Sequence, residues 1–139
     1  MIVAYIDGGA RGNPGPAGYG AFIQSPEGNI LAELHGALGI ATNNVAEYNG
    51  LLAALQWAID HNERRIHIRA DSELLVKQMR GEYKVRNAGL QPLYVRARLL
   101  AAELDVVKFE HVRREFNKEA DRLSNIGMDE AEKRLKTDC

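Results

Sequence analysis

Four acidic residues stand where the surrounding sequence is otherwise apolar or strand-forming. Asp7 follows the run Ile2-Val3-Ala4-Tyr5-Ile6, Asp71 follows Ile66-His67-Ile68-Arg69-Ala70, Glu47 lies in a helical stretch from Asn43 to Asp60, and Asp121 opens the last helical segment. A buried carboxylate is costly unless a cation compensates it. No lysine or arginine is placed by local sequence to neutralise all four. A divalent metal site is the economical reading, because hard cations of this kind take carboxylate oxygens. Singly, each aspartate reads as a turn or helix-start residue; the argument rests on the combination.

Glu47 is the most telling of the four. At about 100° per residue, Leu51, Ala54 and Ala58 fall within roughly 40° of it on the helix wheel, whereas Asn49, Gln56 and Asp60 fall opposite. Glu47 is therefore expected to face inward. Asp7 and Asp71 each follow a β-rich run and precede turn or helix-start residues, Gly8-Gly9 and Ser72-Glu73. If those strands are parallel neighbours, their aspartates converge at the carboxyl ends, where α/β sheets bind ligands.

The elements that must position these acids follow from periodicity and turn chemistry. Residues 2 to 7 are apolar on both alternating faces, as in a central strand covered on both sides. A turn-forming segment from Gly8 to Pro16 leads to a strand from Tyr19 to Gln24, and Pro26-Glu27-Gly28-Asn29 makes a hairpin into Ile30 to Leu38. Thr42 or Asn43 can cap the long helix, which ends near His61-Asn62 and crosses over to a parallel strand at Ile66 to Ala70. Ser72 caps a short helix to Arg80, Gly81 to Gly89 is irregular, and Pro92 suits the first turn of a helix to about Leu104 with Leu93, Ala97, Leu100 and Leu104 on one side. A fifth strand, Val106 to Val112, precedes a terminal helix capped by Asn117, with Ala120, Leu123, Ile126 and Gly127 inward. The order βββαβααβα predicts an α/β fold: a five-stranded mixed sheet, three antiparallel strands then parallel ones, with helices on both faces.

Five ordered segments, Tyr5-Ile6-Asp7-Gly8-Gly9, Gly12-Asn13-Pro14-Gly15-Pro16, Thr42-Asn43-Asn44-Val45-Ala46-Glu47, Ala70-Asp71-Ser72 and Asn117-Lys118-Glu119-Ala120-Asp121, together resemble type 1 ribonuclease H over nearly the full chain. The resemblance implies the ribonuclease H-like fold and endonucleolytic hydrolysis of the RNA strand of RNA/DNA hybrids, leaving 5′-phosphate and 3′-hydroxyl ends. It also implies that Asp7, Glu47, Asp71 and Asp121 are the catalytic, metal-binding acids, holding two Mg²⁺ ions with Mn²⁺ as a substitute. Such a pair stabilises the attacking and leaving oxygens of an in-line displacement. Gly12, Asn13, Asn43 and Asn44 match positions that line the minor groove, where neutral amides and backbone groups suit the 2′-hydroxyl that separates RNA from DNA. Thr42 and Asn87 match a pocket that grips a phosphate of the DNA strand, and Arg11, Arg113 and Arg114 are further candidate phosphate contacts.

Three departures qualify the resemblance. Val112-Arg113-Arg114-Glu115-Phe116 leaves no room for the histidine-bearing loop that many members carry before the final acid, and Arg114 is the nearest substitute; none of His35, His61, His67 or His111 falls there, and His67 reads as structural. Gly81 to Arg86 is too short for the basic protrusion of some relatives, Glu73 stands where glutamine is often found, and Ile40 stands where an arginine often helps hold the DNA phosphate.

The 139 residues fit a single domain, 1–139, and a 45% hydrophobic, 27% charged composition is ordinary for a globular chain. With a net charge of -1, any electropositive surface must be local. The one cysteine, Cys139, has no partner in the chain, which suits a reducing cytoplasm. No apolar run approaches the roughly 20 residues needed to span a bilayer, and no basic leader or cleavage site opens the chain, so a cytoplasmic location is expected; the other expectation is a monomer with no obligate protein partner. Two alternatives remain at this point: a non-catalytic hybrid-binding module, which clustered negative charge facing a polyanion disfavours, and another nuclease of this fold acting on DNA. A small-nucleotide enzyme is less compatible, because no helix directly follows the glycine turn to hold a phosphate.

Overall fold

In the computed structural model, which describes residues 1–137, the strands run in the order β3-β2-β1-β4-β5. β1 (Ile2–Ala10), β2 (Gly15–Gln24) and β3 (Ile30–Ala41) form the antiparallel meander, and β4 (Arg65–Ala70) and β5 (Val106–His111) add in parallel beside β1. The helices are α1 (Asn43–Asp60), α2 (Glu73–Met79), α3 (Gln91–Ala102) and α4 (Lys118–Thr137). This is the predicted mixed sheet. Cys139 lies outside the described residues. Among the described residues, no helix is long and apolar enough to cross a membrane.

Alternation along β1 and β4 builds the core. Ile2, Ala4, Ile6, Ile66, Ile68 and Ala70 are buried on one face against Tyr48, Leu51, Leu55 and Ala58 of α1, with Leu75, Val76 and Met79 of α2 filling the same layer. Both helices start where expected, with Thr42 Oγ1 accepting from Val45 N (3.2 Å) and Ser72 Oγ from Leu75 N (3.2 Å). α4 crosses the other face over β1, β2 and β3. It lies so close to β2 that a Cβ on Gly20 would come within 2.6 Å of Ala120 O and of Ser124 N.

Several boundaries differ from the sequence reading. β1 does not turn at Gly8-Gly9 but continues to Ala10, because β2 starts at Gly15 and pairs Gly8 with Tyr19 and Gly9 with Gly18. β3 likewise runs on to Ala41 beside the start of β2, while α3 stops at Ala102 and β5 at His111. Residues 114–116 form a short 3-10 turn. On α4, Ile126 points outward at 37% exposure, and Ser124, Met128 and Ala131 join Ala120, Leu123 and Gly127 on the buried stripe. The Asn117 carbonyl accepts from Asp121 N to open that helix, but its side chain does not cap: it is buried and turned into the sheet.

Candidate metal and nucleic-acid site

The parallel register of β1 and β4 ends at Ile6 opposite Ala70, so Asp7 and Asp71 are the next residues on neighbouring strands. Glu47 comes from the second turn of α1, which rests on the bare backbone of Gly8, and Asp121 comes from the first turn of α4 on the opposite side. All four acids line one cavity of about 240 Å³, with Asn43 and Arg114 on its wall.

Neighbouring groups hold the acids in place. Asp7 Oδ1 accepts from Gly8 N (2.9 Å), while Oδ2 lies 3.4 Å from Ser124 Oγ. That hydroxyl has one proton and lies closer to the Asp121 carbonyl, at 2.8 Å, so Asp7 gains little from it. Asn117 Nδ2 donates both to Ile6 O (2.9 Å) and to Asp71 Oδ2 (3.2 Å), tying the middle of β1 to the second aspartate. Its Oδ1 is buried with no hydrogen-bond partner among the described residues, an uncompensated acceptor. The Ser72 hydroxyl, besides capping α2, stands near Glu47 and favours its charged form.

Burial, and then the charge of Asp71, push the Asp7 carboxyl up to about 8 despite the opposing Gly8 amide. Burial also pushes Glu47 up to about 7, against the opposing Ser72 hydroxyl and the Arg114 charge, with Asp71 adding to the rise. Such shifts mark carboxylates whose charge is poorly compensated. Hard oxygen donors lining one cavity suit a divalent cation in chemistry. Among the described residues, no three such side chains are gathered closely enough to hold an ion, so the acids frame the site without closing a coordination shell.

The raised values carry a linkage consequence. From about pH 4 to 8 the folded protein binds more protons at Asp7 and Glu47 than the unfolded chain, so stability at these groups is lost as pH rises through that window. Thermal melts in EDTA are expected to show a midpoint that falls from about pH 5 to about pH 8, with a shallower fall in Asp7→Asn. A midpoint that is flat or rising in wild type, with the same slope in the variant, would remove the case for uncompensated burial.

The remaining predicted residues separate into two groups. Asn43 reaches the cavity, but its Oδ1 also accepts from Ala10 N (2.8 Å), and its own amide donates to Asn13 Oδ1 (3.0 Å), pinning the glycine-rich turn to α1. Gly12 turns that loop at φ +73, Asn44 is exposed in the first turn of α1, and Arg114 stands beside the acids. Asn87 does not line the acid cavity, and its Oδ1 accepts from Gly89 N (2.7 Å). Arg11 was a candidate phosphate contact, yet it is engaged by Asp129 (2.6 Å) and Glu132 (3.0 Å) on α4. Sequence reasoning missed Ser124, whose signal was a small polar residue three positions after Asp121 on the inward stripe, and the inward turn of Asn117, for which no local signal exists.

A family model described as reverse transcriptase-like matches residues 5–127. The chain is 47% identical over 131 residues to the bifunctional protein Rv2228c of Mycobacterium tuberculosis, covering 94% of this chain but 36% of that protein. The solved N-terminal RNase H domain of that protein matches with a TM-score of 0.93 and 45% identity, covering 96% of this chain and 97% of the solved one. LC11-RNase H1, solved in complex with an RNA/DNA hybrid, matches with a TM-score of 0.89 and 40% identity over 94% of this chain and 99% of its own. With the ordered motifs, the sheet order and these similarities together, the chain belongs to the type 1 ribonuclease H family.

Proposed function

We propose that the chain is a divalent-metal-dependent endonuclease that hydrolyses the RNA strand of RNA/DNA hybrids to 5′-phosphate and 3′-hydroxyl ends. The observation that carries this reading is the meeting of Asp7, Glu47, Asp71 and Asp121 in one cavity where the parallel pairing of β1 and β4 stops. Likeness to an enzyme solved with an RNA/DNA hybrid supports the substrate class.

Two Mg²⁺ ions, or Mn²⁺ in their place, held by these four acids would supply charge neutralisation and Lewis acidity at the scissile phosphate. The chain's own groups position and tune. Asn117 fixes Asp71 relative to β1, Ser72 favours the charged form of Glu47, and the Gly8 amide orients Asp7. Arg114, exposed on the cavity wall, offers a cation to a phosphate that the acids would otherwise repel. Gly12, Asn13, Asn43 and Asn44 present amide and backbone groups along the adjoining turn, suited to reading 2′-hydroxyls, and Thr42 with Asn87 would meet the DNA backbone.

The decisive assay incubates the protein with labelled hybrid, duplex DNA and duplex RNA, each in Mg²⁺ or Mn²⁺. Cutting confined to the RNA of the hybrid is the expected result. Tight hybrid binding without cutting would make the chain a binding module, and cutting of DNA would make it a different nuclease.

Thr42 and Asn43 should separate in the same assay. Thr42→Val is expected to lower stability by about 1 kcal/mol through the lost cap and to raise KM, with kcat per folded molecule unchanged. Asn43→Ala removes the acceptor for Ala10 N, destabilises by about 1–3 kcal/mol and lowers hybrid cleavage beyond the loss of folded protein. Activity falling only with the folded fraction in both variants would reduce both residues to structural roles.

A further inference from the structure

α4 covers β1, β2 and β3 on its side of the sheet, whereas the β4–β5 half of that face is built mainly from polar side chains, with Val106 beside Arg65. Strand alternation puts Arg65, His67 and Arg69 of β4 there, with Lys108 and Glu110 of β5 paired across from His67 and Arg69. Tyr5 of β1 pairs with Arg69, whose guanidinium lies over its ring and donates to its hydroxyl (2.7 Å). Asp7 and Asp71 follow two residues after Tyr5 and Arg69, so this surface begins where the acid cavity ends.

Cations outnumber acids on the surface. Glu110 engages Arg69 (2.9 Å) and His67 (3.1 Å), and burial holds the imidazole below its usual value, towards neutrality. Arg65 and Lys108 are exposed and enter none of the ion pairs among the described residues. Arg80 donates to the Phe109 carbonyl on β5 and borders the same hollow as His67, Arg69 and Lys108. On the other flank Phe116 is 67% exposed and shares a small hollow with Tyr5 and Glu119, whose carboxylate Arg122 engages (2.9 Å). A chain of net charge -1 thus concentrates cations on one stretch of sheet, with an uncovered aromatic ring on the 3-10 turn beside it. Cations that follow a backbone beside a ring that can stack on a base suit single-stranded nucleic acid; a duplex hides its base faces, and an acidic peptide leaves Phe116 without a role.

We propose that this open β4–β5 face binds single-stranded nucleic acid and holds the unpaired strand flanking a hybrid at the acid cavity. Its use during cleavage rests on the hybrid-nuclease reading; the binding itself does not.

The test is fluorescence anisotropy with a short labelled single-stranded RNA at low salt, together with cleavage of blunt and single-strand-tailed hybrids. Arg65→Glu with Lys108→Glu is expected to weaken single-strand binding about tenfold or more, and Phe116→Ala by about tenfold. Arg65→Gln with Lys108→Gln should reduce the slope of log affinity against log salt by about 1.4, the value for two lost phosphate contacts on a single strand. Wild type should have a lower KM for the tailed hybrid than for the blunt one, and the charge-reversed protein should show no difference while cutting the blunt hybrid normally. Failure of wild type to bind the single strand, unchanged binding in folded variants confirmed by melting, or preference for anionic phospholipid vesicles over RNA would overturn the proposal. If no hybrid of either form is cut, the nuclease reading fails instead, and the anisotropy result still decides whether the face binds single strands.

Discussion

Asp7→Asn is expected to lower hybrid cleavage by about a hundred- to a thousandfold, the loss typical of one group aimed at developing charge, while raising the melting temperature in EDTA. Both effects have the same origin. Asp7 is buried beside Asp71, with Asp121 and Glu47 adding to the repulsion, and its carboxyl is pushed up to about 8. Asparagine keeps the volume and removes the charge, so the folded state loses a repulsion that the unfolded chain lacks. A cation that binds only the folded state stabilises it by mass action, so Mg²⁺ should raise the wild-type midpoint and raise the variant's less. Glu47→Gln should follow the same pattern with a smaller thermal gain, since its shift is smaller. Full cleavage in Asp7→Asn would sink the metal assignment. A lower EDTA midpoint in the variant, with equal Mg²⁺ increments in both proteins, would mean that the four acids do not act as one cluster.

How far such a site can be read from residues alone depends on whether its causes are local. The inward face of Glu47 was legible because helix geometry fixes it from Leu51, Ala54 and Ala58, and the Thr42 and Ser72 caps were legible because a cap is a contact three residues long. Convergence of Asp7 and Asp71 followed once the α1 crossover made β1 and β4 parallel neighbours. The length of β1 was not legible, because Gly8-Gly9 has turn composition and only pairing with Tyr19 and Gly18 keeps it extended. Asn117 looks like a helix cap by every local criterion, yet packing of α4 against the sheet turns its amide toward Ile6 O and Asp71. Arg11 looked free for phosphate because its partners Asp129 and Glu132 are more than a hundred residues away in the chain. The basic face was equally hidden: the alternation of Arg65, His67 and Arg69 is visible, but which face α4 leaves uncovered is decided by tertiary packing.

Gly8→Ala is expected to damage both stability and catalysis, and the reason is the distance between a strand and a helix. A Cβ at Gly8 would lie 2.2 Å from Ala46 C and 2.4 Å from Ala46 O and Glu47 N. All are backbone atoms, so no side chain can rotate away. β1 is held between β2 and β4, which leaves α1 to lift from the sheet and draw its own Leu51 and Leu55 out of the core. Overpacking of this kind costs about 1–3 kcal/mol or more. The helix residue at the point of contact is Glu47 itself, so the lift carries one acid away from the others, and a displacement of about 1 Å in a catalytic arrangement can cost on the order of a hundredfold in rate. Gly28→Ala is the control: Gly28 has φ +90 and nothing within 4 Å, so alanine there brings backbone strain of about 1 kcal/mol without moving the acids. Melting should drop in both variants, but activity per folded molecule should collapse only in Gly8→Ala. Wild-type activity per folded molecule in Gly8→Ala would show that the spacing of Asp7 and Glu47 does not depend on the bare backbone between them.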